Sequence, residues 1–80
     1  MKVLFYGKLS DAFGHELEVP LTATCTVAGL RRQLVAQHPD AAEALQDKRV
    51  RAFVGSTLVA DAHQLDPGDE VEFLAPVSGG

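Results

Sequence analysis

A single cysteine, Cys25, is all the thiol this sequence carries, so no intrachain disulfide can form and a secreted scaffold stapled by disulfides is excluded. Long apolar runs are equally scarce. The opening Met1-Lys2-Val3-Leu4-Phe5-Tyr6 turns polar too soon for a signal peptide, and no stretch is long enough to span a bilayer. A soluble, cytoplasmic protein without a membrane partner is the expectation. Positive charge is in short supply too, with 7 Lys and Arg against 11 Asp and Glu for a net charge of −4. That balance argues against nucleic acid as a partner, because such affinity rests largely on cations neutralising phosphates. The one basic cluster, Lys48-Arg49-Val50-Arg51, reads as a solvated loop entering a strand.

Catalytic apparatus is missing as well. His15, His38 and His63 are scattered, and none has metal-ligand spacing with a cysteine or carboxylate, so no metal is expected. There is no glycine-rich phosphate loop, no serine nucleophile motif and no convincing pair of catalytic carboxylates. Cys25 lies just ahead of a helix start, where a thiol pKa can fall, but a small buried hydrophobe is the preferred reading. The chain is therefore not expected to be an enzyme by itself.

What is present is enough for one small domain: 80 residues, 46% apolar and 22% charged, able to form a core and unlike a disordered composition. Val3 to Leu9 reads as a first strand, Asp11-Ala12-Phe13-Gly14 as a turn, and His15 to Val19 as an alternating second strand. Thr26 is an N-cap for a helix from Val27 to about Gln37. Its apolar stripe is Val27, Leu30, Leu34 and Val35 with Ala28, and Arg31, Arg32 and Gln33 lie mostly away from it. Gly29 costs that helix about 1 kcal/mol of propensity relative to Ala, for which close packing on a sheet is the expected compensation. His38-Pro39 ends it, and Asp40 to Gln46 forms a short second helix. Strands follow over Val50–Val54, Thr57–Val59 and Glu70–Leu74, the first two joined by a glycine-first Gly55-Ser56 hairpin turn. Asp66-Pro67-Gly68-Asp69 is read as a type II turn. This order predicts an α+β, β-grasp (ubiquitin-like) domain over residues 1–74, a mixed sheet with one long helix on one face, followed by a flexible tail over 75–80.

Alternation assigns the faces. With Val3, Phe5, Val71 and Phe73 toward the helix, Leu4, Tyr6 and Leu74 point away, joined by Leu58 through cross-strand proximity. Four exposed apolar residues beside the tail make a candidate docking patch. Acidic residues gather nearby, at Asp61, Asp66, Asp69, Glu70 and Glu72, either as a solvated face or as a surface that steers toward a basic partner.

The tail, Ala75-Pro76-Val77-Ser78-Gly79-Gly80, contains no charged side chain. Paired terminal glycines arise by composition in roughly 0.5% of chains, and without a Cβ they let a backbone enter a narrow cleft. Extended, six residues reach on the order of 20 Å. A carboxylate is a poor acyl donor, and a partner must give it a better leaving group, most simply an adenylate from ATP.

The sequence resembles the small subunits of molybdopterin synthase, a family of ubiquitin-like sulfur carrier proteins. The resemblance covers essentially the whole chain. It is carried by Lys2-Val3-Leu4-Phe5-Tyr6-Gly7, by Ser56-Thr57-Leu58-Val59, and above all by Asp66-Pro67-Gly68-Asp69-Glu70-Val71-Glu72-Phe73-Leu74-Ala75-Pro76-Val77-Ser78-Gly79-Gly80, where Ala75 replaces a frequent second proline. It implies that an adenylating enzyme similar to the one that activates ubiquitin uses ATP to convert the Gly80 carboxylate, behind Gly79, to an acyl-adenylate. No cofactor is bound by the chain itself. A sulfur donor protein then displaces AMP to leave a thiocarboxylate. The large synthase subunit, in a heterotetramer, accepts Pro76, Val77 and Ser78 together with the Tyr6, Leu58 and Leu74 patch. It performs the catalysis that places sulfur in the dithiolene of molybdopterin, during molybdenum cofactor biosynthesis. Alternatives are a carrier for thiamine, cysteine or transfer-RNA thiolation, and a ubiquitin-like protein modifier.

Overall fold

The structure is a computed structural model that describes residues 1–20, 23–47 and 49–75. Its centre is made by the first and last strands of the body, β1 (Lys2–Tyr6) and β7 (Glu70–Leu74). They run parallel in a register from Lys2 opposite Glu70 to Tyr6 opposite Leu74. Outside β1 lies antiparallel β2 (Glu16–Glu18); outside β7 lies antiparallel β4 (Arg51–Val54), and beyond it β5 (Thr57–Val59). Among the described residues the mixed sheet therefore has the order β2-β1-β7-β4-β5. This is the expected β-grasp arrangement.

The period-2 pattern of the two central strands explains why one face is dry. Val3, Phe5, Val71 and Phe73 are wholly buried and share a core with Val27, Leu30 and Leu34, the buried stripe of α2 (Val27–Gln37). Helix α2 starts where expected: Thr26 is extended, and its hydroxyl accepts a hydrogen bond from the Gly29 N–H at 3.0 Å. It stops at His38, ahead of a 3₁₀ turn over Pro39–Ala41 and the short α3 (Ala42–Gln46).

Several expectations are corrected. The first strand ends at Tyr6, three residues early, because Gly7 takes φ 66° and turns the chain into α1 (Lys8–Phe13). That helix seals one end of the core with Leu9 and Phe13, and Phe13 stacks on Phe5 with ring centroids 4.5 Å apart. Gly55 and Ser56 both have positive φ, 55° and 68°, the type I′ hairpin turn rather than the glycine-first form. Gly68 is not at positive φ, so the Asp66–Asp69 turn is not type II. It is closed instead by Asp69 N–H donating to the Asp66 carbonyl at 2.9 Å, while the Asp69 carboxylate accepts from Asp66 N–H at 2.8 Å. An unanticipated two-stranded ladder pairs β3 (Cys25–Thr26) with β6 (Gln64–Leu65) ahead of α2.

Arg31 is not on a solvent face. Its side chain is 14% exposed; Nη1 donates to the Leu45 carbonyl and Nη2 to the Val50 carbonyl, each at 2.9 Å. Nε lies 3.1 Å from Asp61 Oδ1, an ion pair without the alignment of a hydrogen bond. The guanidinium carbon sits 5.2 Å from the centroid of the Phe73 ring.

Gly29 does not pack against the sheet. A Cβ there meets Thr26 Oγ1 at 3.4 Å and Cys25 Cβ at 3.8 Å, ordinary contacts at the helix cap. Gly29→Ala is therefore expected to stabilise the domain by about 0.5–1 kcal/mol, seen as a Tm raised by several degrees. A lowered Tm would mean that the added methyl disturbs the Thr26 cap.

Candidate functional site

The sheet face opposite α2 carries two cross-strand rows of side chains. One runs Tyr6, Leu74, Arg51; the next runs Leu4, Glu72, Phe53, Leu58. Among the described residues, Tyr6, Leu58 and Leu74 are the large apolar residues left open to water, 43%, 57% and 44% exposed, as alternation predicts. Leu4, its fourth expected member, is half-buried. Phe53 belongs to the same surface and was not anticipated. Continuing the alternation from buried Ala52 would have found it. A shallow groove on this face is lined by Tyr6, Phe53, Ser56, Glu72 and Leu74.

The electrostatics of this face are set by carboxylates. Glu16 and Glu18 of β2 stand beside Leu4 and Lys2, and Glu70 and Glu72 of β7 stand on their other side. Lys2 reaches Glu16 at 3.6 Å, and the Met1 amine lies 3.7 Å from Glu18 while donating to the Val19 carbonyl at 2.9 Å. The negative charge of Glu72, more than partial desolvation, holds the Tyr6 phenol above its ordinary pKa, with Glu70 adding to the effect.

The chain leaves the sheet beside this patch. Leu74 is paired with Tyr6, and the next residue, Ala75, is buried at 7% exposure. The described body therefore extends through Ala75. Its carbonyl passes so near Gly7 that a Cβ there would stand 3.1 Å from the oxygen. Pro76, Val77, Ser78, Gly79 and Gly80, expected to enter the partner and to react, lie outside the described residues.

Elsewhere the residues with chemical potential have structural settings. Cys25 is half-buried against the core, and the His38 ring meets Phe13 edge-on at 4.9 Å. No group of three or more His, Cys, Asp or Glu is close enough to hold a metal among the described residues, nor is any of their helices long and apolar enough to cross a membrane. A larger open cleft between α2 and β5 is lined in part by Arg31, Arg32 and Asp61. Arg31 is already engaged there, and among the described residues no serine, threonine, cysteine or histidine lines the cleft. The described body thus presents an apolar, acid-bordered sheet face, with Leu74 and Ala75 at its end.

Residues 3–80 match the ThiS family. The chain is 39% identical over 80 residues to the molybdopterin synthase sulfur carrier subunit of Escherichia coli (strain K12), covering 100% of this chain and 99% of that protein. Among solved structures, SAMP1 from Haloferax volcanii superposes with a TM-score of 0.81 at 22% identity, covering 99% of this chain and 97% of that one. A putative molybdopterin converting factor, subunit 1, from Pyrococcus furiosus gives 0.78 at 24% identity, covering 95% of each chain.

Proposed function

Because the chain belongs to the ThiS family, we propose that it is the sulfur carrier subunit of a molybdopterin synthase, with Gly80 as the group that is loaded and discharged. The observation that carries this reading is the full-length identity to the Escherichia coli sulfur carrier subunit. It is supported by a body whose exposed apolar row, Tyr6 and Leu74, lies where the chain departs toward Gly80.

The chemistry divides between this chain and its partners. An adenylating enzyme couples the Gly80 carboxylate to the AMP portion of ATP, releasing pyrophosphate. A sulfur donor then supplies the atom that displaces AMP, leaving a thiocarboxylate. Beyond the Gly80 carboxylate that attacks the α-phosphate and the thiocarboxylate it becomes, the carrier contributes no acid, base or nucleophile; it contributes reach and address. Tyr6, Leu58 and Leu74 dock on the large synthase subunit, excluding water from their apolar surfaces. Pro76 to Ser78 follow into that subunit's cleft, and Gly79 and Gly80 admit close backbone approach. Transfer of sulfur to a pterin precursor returns the carboxylate.

Intact-mass measurement of the protein incubated with the adenylating enzyme, ATP and sulfur donor is expected to show a species with one oxygen replaced by sulfur, localised to Gly80. Mixing that species with the large subunit and pterin precursor is expected to yield dithiolene product. Unmodified carboxylate throughout would refute the sulfur-carrier function. A thiocarboxylate that gives no dithiolene would redirect it to another thiolation pathway, and stable isopeptide conjugates would mark a protein modifier.

A further inference from the structure

Glu72 is out of keeping with its surroundings. It lies half-buried in the middle of the apolar row, between Leu4 and Phe53 in the sheet register, and lines a groove whose other walls are Tyr6, Phe53, Ser56 and Leu74. The nearby acidic residues of β2 have cationic neighbours, Glu16 in Lys2 and Glu18 in the Met1 amine. Among the described residues no ion pair reaches Glu72, whose carboxylate is held only by a hydrogen bond from the Tyr6 hydroxyl. Arg51, a basic position on this face, is registered with Leu74, and no ion pair joins it to Glu72.

While the face is open, water solvates this carboxylate. Once a partner covers Tyr6, Leu58 and Leu74, that water is lost, and the charge is left with the Tyr6 hydroxyl alone, an unfavourable state unless the partner supplies a cation. The groove itself shows what can compensate. Two aromatic residues and a carboxylate around one apolar depression favour a delocalised cation, which can stack on a ring face and donate to the carboxylate together. We propose that Glu72 is a specificity-determining residue of the docking face, and that the partner inserts an arginine side chain into the groove formed by Tyr6, Phe53, Glu72 and Leu74.

This inference rests on the proposed function, since it takes the large synthase subunit as the occupant. It adds that the apolar contact supplies area while one buried charge pair selects the partner, because a partner surface without the cation leaves Glu72 stranded. Ser56 lines the same groove and leaves room at its rim.

The test is calorimetric titration of the full-length protein with the large subunit at several salt concentrations, for wild type, Glu72→Gln and Glu72→Asp. Glu72→Gln keeps the shape and removes the charge. It is expected to weaken binding at least about tenfold and to flatten the salt dependence, with Glu72→Asp recovering part of the loss. Thermal unfolding of free Glu72→Gln should match wild type, because Glu72 makes no ion pair among the described residues and the amide oxygen can still accept from the Tyr6 hydroxyl. Binding by Glu72→Gln within twofold of wild type overturns this inference and leaves the docking function standing. Failure of the wild type to bind the large subunit overturns both.

Discussion

Deleting Gly80 is expected to abolish sulfur transfer while leaving the thermal stability of the domain unchanged. Among the described residues, Val71, Phe73 and Ala75 are the last that are buried. Nothing in the described core depends on the final glycine. In the proposed function the reaction depends on where Gly80 places the carboxylate. Removing one residue withdraws it by roughly 3.5 Å, whereas a displacement of even 1 Å from a productive arrangement can cost on the order of 10²-fold in rate. Docking through Tyr6, Leu58 and Leu74, as proposed, would fix where the tail begins and so could not compensate. The shortened protein should therefore still bind the large subunit with wild-type affinity, accumulate no thiocarboxylate, and compete with the intact carrier as an inhibitor. Retention of full activity would show that Gly80 is not the loaded group.

A second large effect is expected at Arg31. In Arg31→Ala the Leu45 and Val50 carbonyls each lose a charge-assisted hydrogen bond in a part-buried setting, and Phe73 loses the cation above its ring. Hydrogen bonds to charged groups contribute about 1.5–3 kcal/mol each. The Asp61 ion pair adds little, because that carboxylate is 64% exposed. Allowing for water to replace part of what is lost, a destabilisation of roughly 2–4 kcal/mol is expected in urea unfolding, a large share of the ~5–15 kcal/mol typical of a whole domain. Arg31→Lys should recover only part of it, since an ammonium lacks the fork that reaches two carbonyls at once. A loss under about 0.5 kcal/mol would show that the clamp is dispensable.

Arg31 shows a signal that was there to be used. It stands four residues after Val27 and four before Val35, so helical periodicity puts it on the apolar stripe; its charge, not its position, led to the expectation of a solvent face. Its long stem carries the guanidinium over Phe73. The elements specified by strong local pattern were legible: the alternation of β1 and β7, the stripe of α2 and its Thr26 cap all stand where expected. So was the exposed apolar patch, because a period of two leaves Tyr6 and Leu74 no choice of face once Phe5 and Phe73 are buried.

What escaped depends on distant partners. Helix α1 is six residues long, too short to form on local preference. It exists because Leu9 and Phe13, spaced by four, reach the core against Phe5. The β3–β6 ladder joins Cys25 to Leu65 across forty residues, a pairing that no window of the sequence contains. At Gly55-Ser56 the residues foretold a tight hairpin, but both hairpin turn types admit glycine first, and the positive φ of Ser56 had no separate signal. Phe53 was legible in principle: one more step of alternation beyond Ala52 places it beside Glu72.

The placement of β7 between β1 and β4 has a mechanical meaning. Tension applied beyond Leu74, as when a tail is drawn out of a tight cleft, runs along β7 and loads the ladders on both flanks lengthwise, so that their backbone hydrogen bonds resist together. An edge strand such as β5 would be peeled away one bond at a time. In the proposed function, a carrier gripped by its end and withdrawn would thus be anchored at a strand held on both sides, and could be recycled without unravelling.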